Sequence, residues 1–123
     1  MNEARRLVQM GLPEIETALD AIENKDYSTA LRLLAPLAEA GIPEAMCNLA
    51  TLYQCGLGVE IDGKQAVALY ERVARLEMIN RSLSGIAFNN LATIHTTGLP
   101  GVEPNLEKAE EYRNRARQLG VGV

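Results

Sequence analysis

The four residues Asn48-Leu49-Ala50-Thr51 return as Asn90-Leu91-Ala92-Thr93, and the likeness continues through the flanking chain. Leu52 returns as Ile94, Gly56-Leu57 as Gly98-Leu99, and Gly58-Val59-Glu60 as Gly101-Val102-Glu103 with Pro100 inserted ahead of it. Asp62 then answers to Asn105 and Ala66 to Ala109, so the offset is 42 residues before the turn and 43 after it. Upstream, an offset of 36 aligns Asp26 with Asp62, Ala30 with Ala66, Leu33 with Leu69 and Leu37 with Val73. A period between roughly 20 and 50 residues restricts a chain to an array in which no single unit can bury its apolar face alone. That restriction comes before any other reading.

Within one unit, apolar residues at 45, 46, 49, 52 and 53 recur at helical spacing. Gly56 and Gly58 then end the helix, because glycine tolerates the positive φ that turns the chain. Asp62 can accept free N–H groups of a second helix, and Gln65 three residues on completes a capping-box pattern. Val67, Tyr70, Val73 and Ala74 carry the apolar stripe of that second helix. Each unit thus reads as a helix, a turn and an antiparallel helix. Asp26, Asp62 and Asn105 are helix caps at one repeat position.

At the start, Ala4, Leu7 and Val8 suit one short helical turn ended by Gly11, and Pro13 suits the first turn of the next helix. Ile15, Ala18, Leu19 and Ile22 carry that helix to about Glu23, and a second runs from about Ser28 to Ala40 with Pro36 inside it. Gly41 ends it and Pro43 opens the next. Relative to a 36-residue period, about six extra residues have entered at 78–85. Either the helix ending near Glu77 is longer there or a loop bulges from one edge. The last helix is strongly charged, as a solvated terminal cap of a stack would be, and Gly120 to Val123 reads as a loose tail.

Taken together, Ala45, Leu49, Ala50, Tyr53, Gly56, Gly58, Val59, Asp62, Ala66, Tyr70, Arg72 and Ala74 resemble the Sel-one-like repeat, a relative of the tetratricopeptide repeat. The resemblance covers residues 15 to 120. It departs at Gln65, where the motif has lysine, and at Leu69, where it often has tryptophan. In the last unit His95 stands in the register of Tyr53, facing the helix-pair interior, and Arg113 in that of Tyr70. The resemblance implies an all-α, right-handed α-α superhelix of three antiparallel helix pairs in a single domain, 1–123. Its parts are an N-terminal pair at 15–41, a central repeat at 43–77, the insert at 78–85 and a C-terminal repeat at 86–120. It also implies a protein-interaction module.

Composition narrows the function further. Hydrophobic residues make up 47% of the chain with only 4% aromatic, which suits small-residue helix packing. A net charge of −4 argues against nucleic acid, which needs clustered lysine and arginine. No apolar run approaches the ~20 residues of a membrane span. Arg5-Arg6 is followed by only Leu7-Val8 before Gln9, too short for a signal-peptide core, so cytoplasm is the default expectation. Cys47 and Cys55 lie about 12 Å apart along one helix, beyond the roughly 7 Å that a disulfide spans. Reduced thiols are expected. Gly56-Leu57-Gly58 follows a helix and lacks the third glycine of a dinucleotide fingerprint. One histidine and two distant thiols fall short of a metal site, and parallel stacking sets neither cysteine beside His95. No enzyme and no cofactor follow from these residues.

What remains is the surface that the first helix of each unit leaves uncovered. With the apolar stripe packed, Glu44, Cys47, Asn48, Thr51, Gln54 and Cys55 are left over, and in the last unit Ile86, Asn89, Asn90, Thr93, Thr96 and Thr97. Residues 47, 51 and 54, and again 89, 93 and 96, form one stripe per helix. The family resemblance places such stripes on the concave side, as an uncharged, hydrogen-bonding groove for a segment of another protein. It implies that Asn48 and Asn90 hold a peptide main chain, although helix-to-helix hydrogen bonding would account for them equally well. Three uses are open: an adaptor or regulatory subunit binding along the groove, a small inhibitor or immunity-type protein working through its edge and the 78–85 insert, and a hydrolase. Pairing of two copies through open solenoid ends is also compatible with so short a stack.

Overall fold

The computed structural model describes residues 3–121, with side chains from residue 13 to residue 121. Among the described residues six helices follow one another: α1 (Glu3–Glu23), α2 (Tyr27–Glu39), α3 (Pro43–Cys55), α4 (Gly63–Ala74), α5 (Arg81–Thr97) and α6 (Leu106–Gln118). Among the described residues there is no strand, only an isolated bridge between Leu99 and Val102. Helices α1 and α2, α3 and α4, and α5 and α6 pack as pairs, while α2 meets α3 and α4 meets α5 across the joints. Helices α3 and α5 also touch directly.

The punctuation sets these boundaries. Asp26 accepts from Thr29 N, Asp62 from Gln65 N and Asn105 from Lys108 N, each relieving an orphan N–H of a first turn. Gly56 closes α3 in the left-handed region at φ 68°, and its counterpart Gly98 after α5 also has a positive φ, 76°. The core between the pairs is built on alanines: Ala18, Ala30, Ala45, Ala50, Ala66, Ala87 and Ala116 are fully buried and let helices approach closely. Leu34, Met46, Leu52, Leu91 and Ile94 fill the wider gaps, each worth about 1.5–3 kcal/mol of apolar burial.

A second joint binds the units. The turn between α5 and α6 lies on the first turn of α4, where Gly63 N donates to Pro100 O at 2.9 Å. A Cβ at Gly63 would stand 2.6 Å from that same carbonyl oxygen. One repeat earlier, Gly58 lies against Tyr27 and Leu31 at the start of α2 in the same manner.

Three expectations are corrected. Helix α1 runs unbroken from Glu3, so Gly11 does not end a separate turn and Pro13 lies inside the helix. A single proline removes one hydrogen bond and bends a helix, but does not by itself force the chain to turn. Helix α4 ends at Ala74, so the extra residues do not lengthen it; part of them widens the turn at 75–80, where Met78 and Ile79 stand exposed. The others add a first turn to α5, capped by Asn80 Oδ1 accepting from Leu83 N at 3.0 Å. Ser84 in that turn is fully buried and donates to Ala74 O at 2.6 Å. Finally, Gly120 N bonds Arg117 O and Val121 N bonds Ala116 O, a Schellman closure in place of a loose tail. The other two tail residues, Gly122 and Val123, lie outside the described residues.

Candidate protein-binding site

Position around each helix divides the expected groove residues into two lines. Glu44, Asn48 and Thr51 are half-buried and Cys55 exposed, and they follow one line along α3. On α5 the same register holds Ile86, Asn90, Thr93 and Thr97, with Asn90 half-buried and the rest exposed. Helices α3 and α5 touch, and the two lines occupy equivalent registers on them.

The second set turns away from this face. Cys47 is only 8% exposed and belongs to the core, so it is no part of an open groove. Burial, with the Glu44 charge adding to it, pushes its thiol up to about 11, which removes it as a nucleophile near neutral pH. Gln54 Oε1 accepts from the Tyr70 hydroxyl at 2.8 Å, and that hydroxyl also lies 2.9 Å from Thr51 Oγ1. Tyr70 is fully buried, and burial holds its phenol well above the ordinary range. One unit later Arg113 occupies the Tyr70 register and donates to Thr96 Oγ1 at 3.2 Å, in the register of Gln54. Half-buried Asn89 occupies the register of Cys47. Cys47 and Gln54 are therefore directed at the second helix of their own unit, and Thr96, though exposed, is bonded by the second helix of its own.

Several polar groups on the exposed line are already engaged. Asn48 Nδ2 donates to Glu44 O at 2.8 Å, Thr93 Oγ1 to Asn89 O at 3.2 Å and Thr97 Oγ1 to Thr93 O at 3.4 Å. These bonds leave the hydroxyl lone pairs and the Asn48 carbonyl free to accept. Glu44 Oε1 lies 3.4 Å from Asn80 Nδ2, which ties it to the cap of α5. His95 is buried, with Nδ1 2.8 Å from Leu91 O and its ring 5.3 Å from that of Tyr112. It is a packing residue of the last helix pair.

A feature on the other side of α5 was not anticipated. Helices α4, α5 and α6 border a cleft of about 370 Å3, lined among others by Glu71, Arg75, Phe88, Tyr112 and Arg115. The Tyr112 hydroxyl donates to Glu71 Oε1 at 3.1 Å, and Arg115 lies over the Phe88 ring at 5.3 Å while bonding Glu77 at 2.8 Å. Burial, then the Glu71 charge, pushes the Tyr112 phenol up to about 12. The signal for this cleft lay in the repeat comparison, where Phe88 replaces Met46, Tyr112 replaces Leu69 and Arg75 replaces Glu39.

A stack of three helix pairs joined by glycine turns and N-cap carboxylates or amides defines a helical-repeat solenoid. The chain belongs to the Sel1 repeat family, whose model matches residues 43–77 and 87–121. In the curated set it is 27% identical over 92 residues to chitin synthase regulatory factor 3 of Schizosaccharomyces pombe, a match covering 75% of this chain and 9% of that protein. Among solved structures it is similar to a Sel1 repeat protein from Oxalobacter formigenes, with a TM-score of 0.76, 22% identity, and coverage of 89% of this chain and 44% of that one. The chain thus spans less than half the length of either. Sel1 repeats are generally protein-interaction modules and non-catalytic binding scaffolds. Among the described residues no helix is long and apolar enough to cross a membrane.

Proposed function

We propose that the chain is an adaptor or regulatory subunit that holds an extended segment of a partner protein across α3 and α5. The observation that carries this is the pair of lines, Glu44, Asn48, Thr51 and Cys55 on α3 and Ile86, Asn90, Thr93 and Thr97 on α5, at equivalent positions of touching helices. Packed helices lie about 8–10 Å apart, a distance that roughly three residues of extended chain cross. Asn48 and Asn90 stand at one register of the two helices and can therefore grip the main chain at two points of the same segment. The regulatory role in the name of the Schizosaccharomyces pombe relative fits this use, with the match confined to 9% of that protein.

The test is affinity capture from the native host, followed by Asn90→Ala and Thr93→Arg. Both positions are clear of the core, so thermal unfolding is expected to stay nearly unchanged while capture is lost. Retained capture with both variants would remove the groove reading. The edge reading has its own support in Met78 and Ile79, 98% and 74% exposed at the turn between α4 and α5. Under it, Met78→Ser with Ile79→Ser abolishes capture and the Asn90 and Thr93 variants do not. A hydrolase reading has no support in buried Cys47 and buried His95. Activity that persists when Cys47, Cys55 and His95 are replaced together would exclude a role for them outright.

A further inference from the structure

The two joints of the stack are built from matching registers, and they differ at one place. At the first joint the positions corresponding to the cleft are Ala35, Glu39, Met46, Leu69 and Arg72, with Met46 and Leu69 buried. At the second joint the same positions hold Glu71, Arg75, Phe88, Tyr112 and Arg115, and both aromatic rings are half-exposed. Aliphatic packing has given way to a partly exposed aromatic wall; at the rim Glu39 becomes Arg75, while Ala35 becomes Glu71, whose carboxylate is engaged by the Tyr112 hydroxyl. The rings stand 6.0 Å apart between centroids at a tilt of 36°, and both line the cleft.

The charges around the cleft are unequally engaged. Arg115 is bound to Glu77 at 2.8 Å and held over Phe88. Glu71 accepts from the Tyr112 hydroxyl at 3.1 Å, and its bond to Arg75 is a loose 4.0 Å. The Arg75 side chain is 74% exposed. A guanidinium so placed offers its forked donors to an incoming carboxylate, the geometry arginine matches best. At about 370 Å3 the cleft lies at the small end of ligand sites, room for one large side chain rather than a cofactor.

We propose that this cleft is a second protein-binding site, which takes an apolar side chain from an acidic segment of a partner, the neighbouring carboxylate being gripped by Arg75. It lies on the face of α5 opposite Asn90 and Thr93, because Phe88 and Leu91 point away from that line. A partner can therefore occupy it independently of the groove described above.

The experiment is an NMR titration of the 15N-labelled chain with a synthetic acetylated, amidated tripeptide of leucine flanked by two glutamates. Saturable shifts are expected at residues 71 to 75, 88 to 91 and 112 to 115. Arg75→Glu, which restores the acid of the first joint at an exposed position, should weaken binding about tenfold, as should replacing both glutamates by glutamine. Tyr112→Leu, the residue of the first joint, should remove the shifts while leaving the spectrum folded. The absence of saturable shifts at millimolar peptide, or shifts confined to residues 44 to 55 and 86 to 97 on the groove side, would overturn the proposal. Equal binding by the glutamine peptide or by Arg75→Glu would overturn it as well.

Discussion

Replacing Gly63 by alanine sets two opposed effects against each other. Alanine is the better helix former, by up to about 1 kcal/mol relative to glycine in a helix interior and less in a first turn. Against this, the added Cβ would lie 2.6 Å from Pro100 O, 2.8 Å from Val102 Cγ2 and 3.0 Å from Leu99 Cβ. The nearest of these is backbone, which no rotamer change can move aside. Overpacking of this kind costs about 1–3 kcal/mol. If the loop retreats instead, the 2.9 Å bond from Gly63 N to Pro100 O is stretched, and a buried N–H without its partner costs a similar amount. Either cost outweighs the alanine gain, so Gly63→Ala should destabilise by about 1–3 kcal/mol. With m near 2 kcal/mol/M, a loss of about 2 kcal/mol lowers the urea midpoint by roughly 1 M at unchanged m. Val102→Ala in the same chain should recover only part of the loss, since Pro100 O remains in place. A midpoint that rises or stays fixed in Gly63→Ala would show that the turn between α5 and α6 does not rest on α4 as described.

Other consequences can be measured on the same protein. Ser84→Ala removes the buried 2.6 Å bond to Ala74 O that seats the extra turn of α5, and should lower stability by about 1–2 kcal/mol in urea unfolding. In the native protein exposed Cys55 should react rapidly with a thiol reagent and buried Cys47 only on unfolding, so Cys55→Ser leaves one slow thiol. Two thiols reacting alike would contradict the burial of Cys47. Cys47, Tyr70 and Tyr112 all have folded-state values raised above their ordinary ones by burial. Above those ordinary values the unfolded chain binds fewer protons, so stability is complete below about pH 9 and declines as the pH rises beyond it. Urea midpoints measured upward from pH 8 should fall, and Tyr70→Phe should flatten the fall; an unchanged slope would count against the buried phenol.

Much of the fold was legible because its determinants are local. Asp26, Asp62 and Asn105 cap helices wherever they stand, and Gly56 and Gly98 turn the chain whatever surrounds them. The extra residues at 78–85 show where the difficulty begins. A period count locates them but does not say which helix absorbs them. Asn80, followed by Leu83 and Ala87 at helical spacing, carried the missing signal, the same cap chemistry read correctly elsewhere. The groove was half legible for a related reason. Helical spacing orders the residues of α3 around its axis, but which of them meet α4 depends on where α4 lies. Cys47, Gln54 and the Thr51 hydroxyl all meet the Tyr70 side, and no property of α3 by itself separates them from Asn48. The cleft behind α5 joins side chains from three helices, and only the exchange of Met46, Leu69 and Glu39 for Phe88, Tyr112 and Arg75 marked it.

Both candidate surfaces meet on α5, and its extra first turn explains how one helix can serve two faces. Arg81 in that turn donates to Gln118 O at 3.0 Å and pairs with Glu77 at 3.5 Å, and Glu77 also binds Arg115 of α6. These side chains are substantially exposed, and solvated ion pairs of this kind contribute at most about 1 kcal/mol each. Their effect is positional: the end of α4, the start of α5 and the end of α6 are tied at one place. Ser84 fixes the same turn from within, and Asn80 links it to Glu44 on α3. A helix fixed in this way loses little further freedom when a segment binds, and avoided ordering adds directly to affinity. Residues absent from the central repeat thus do for α5 what the glycine turns do between units, holding Asn90 on one side and Phe88 on the other at set positions before any partner arrives.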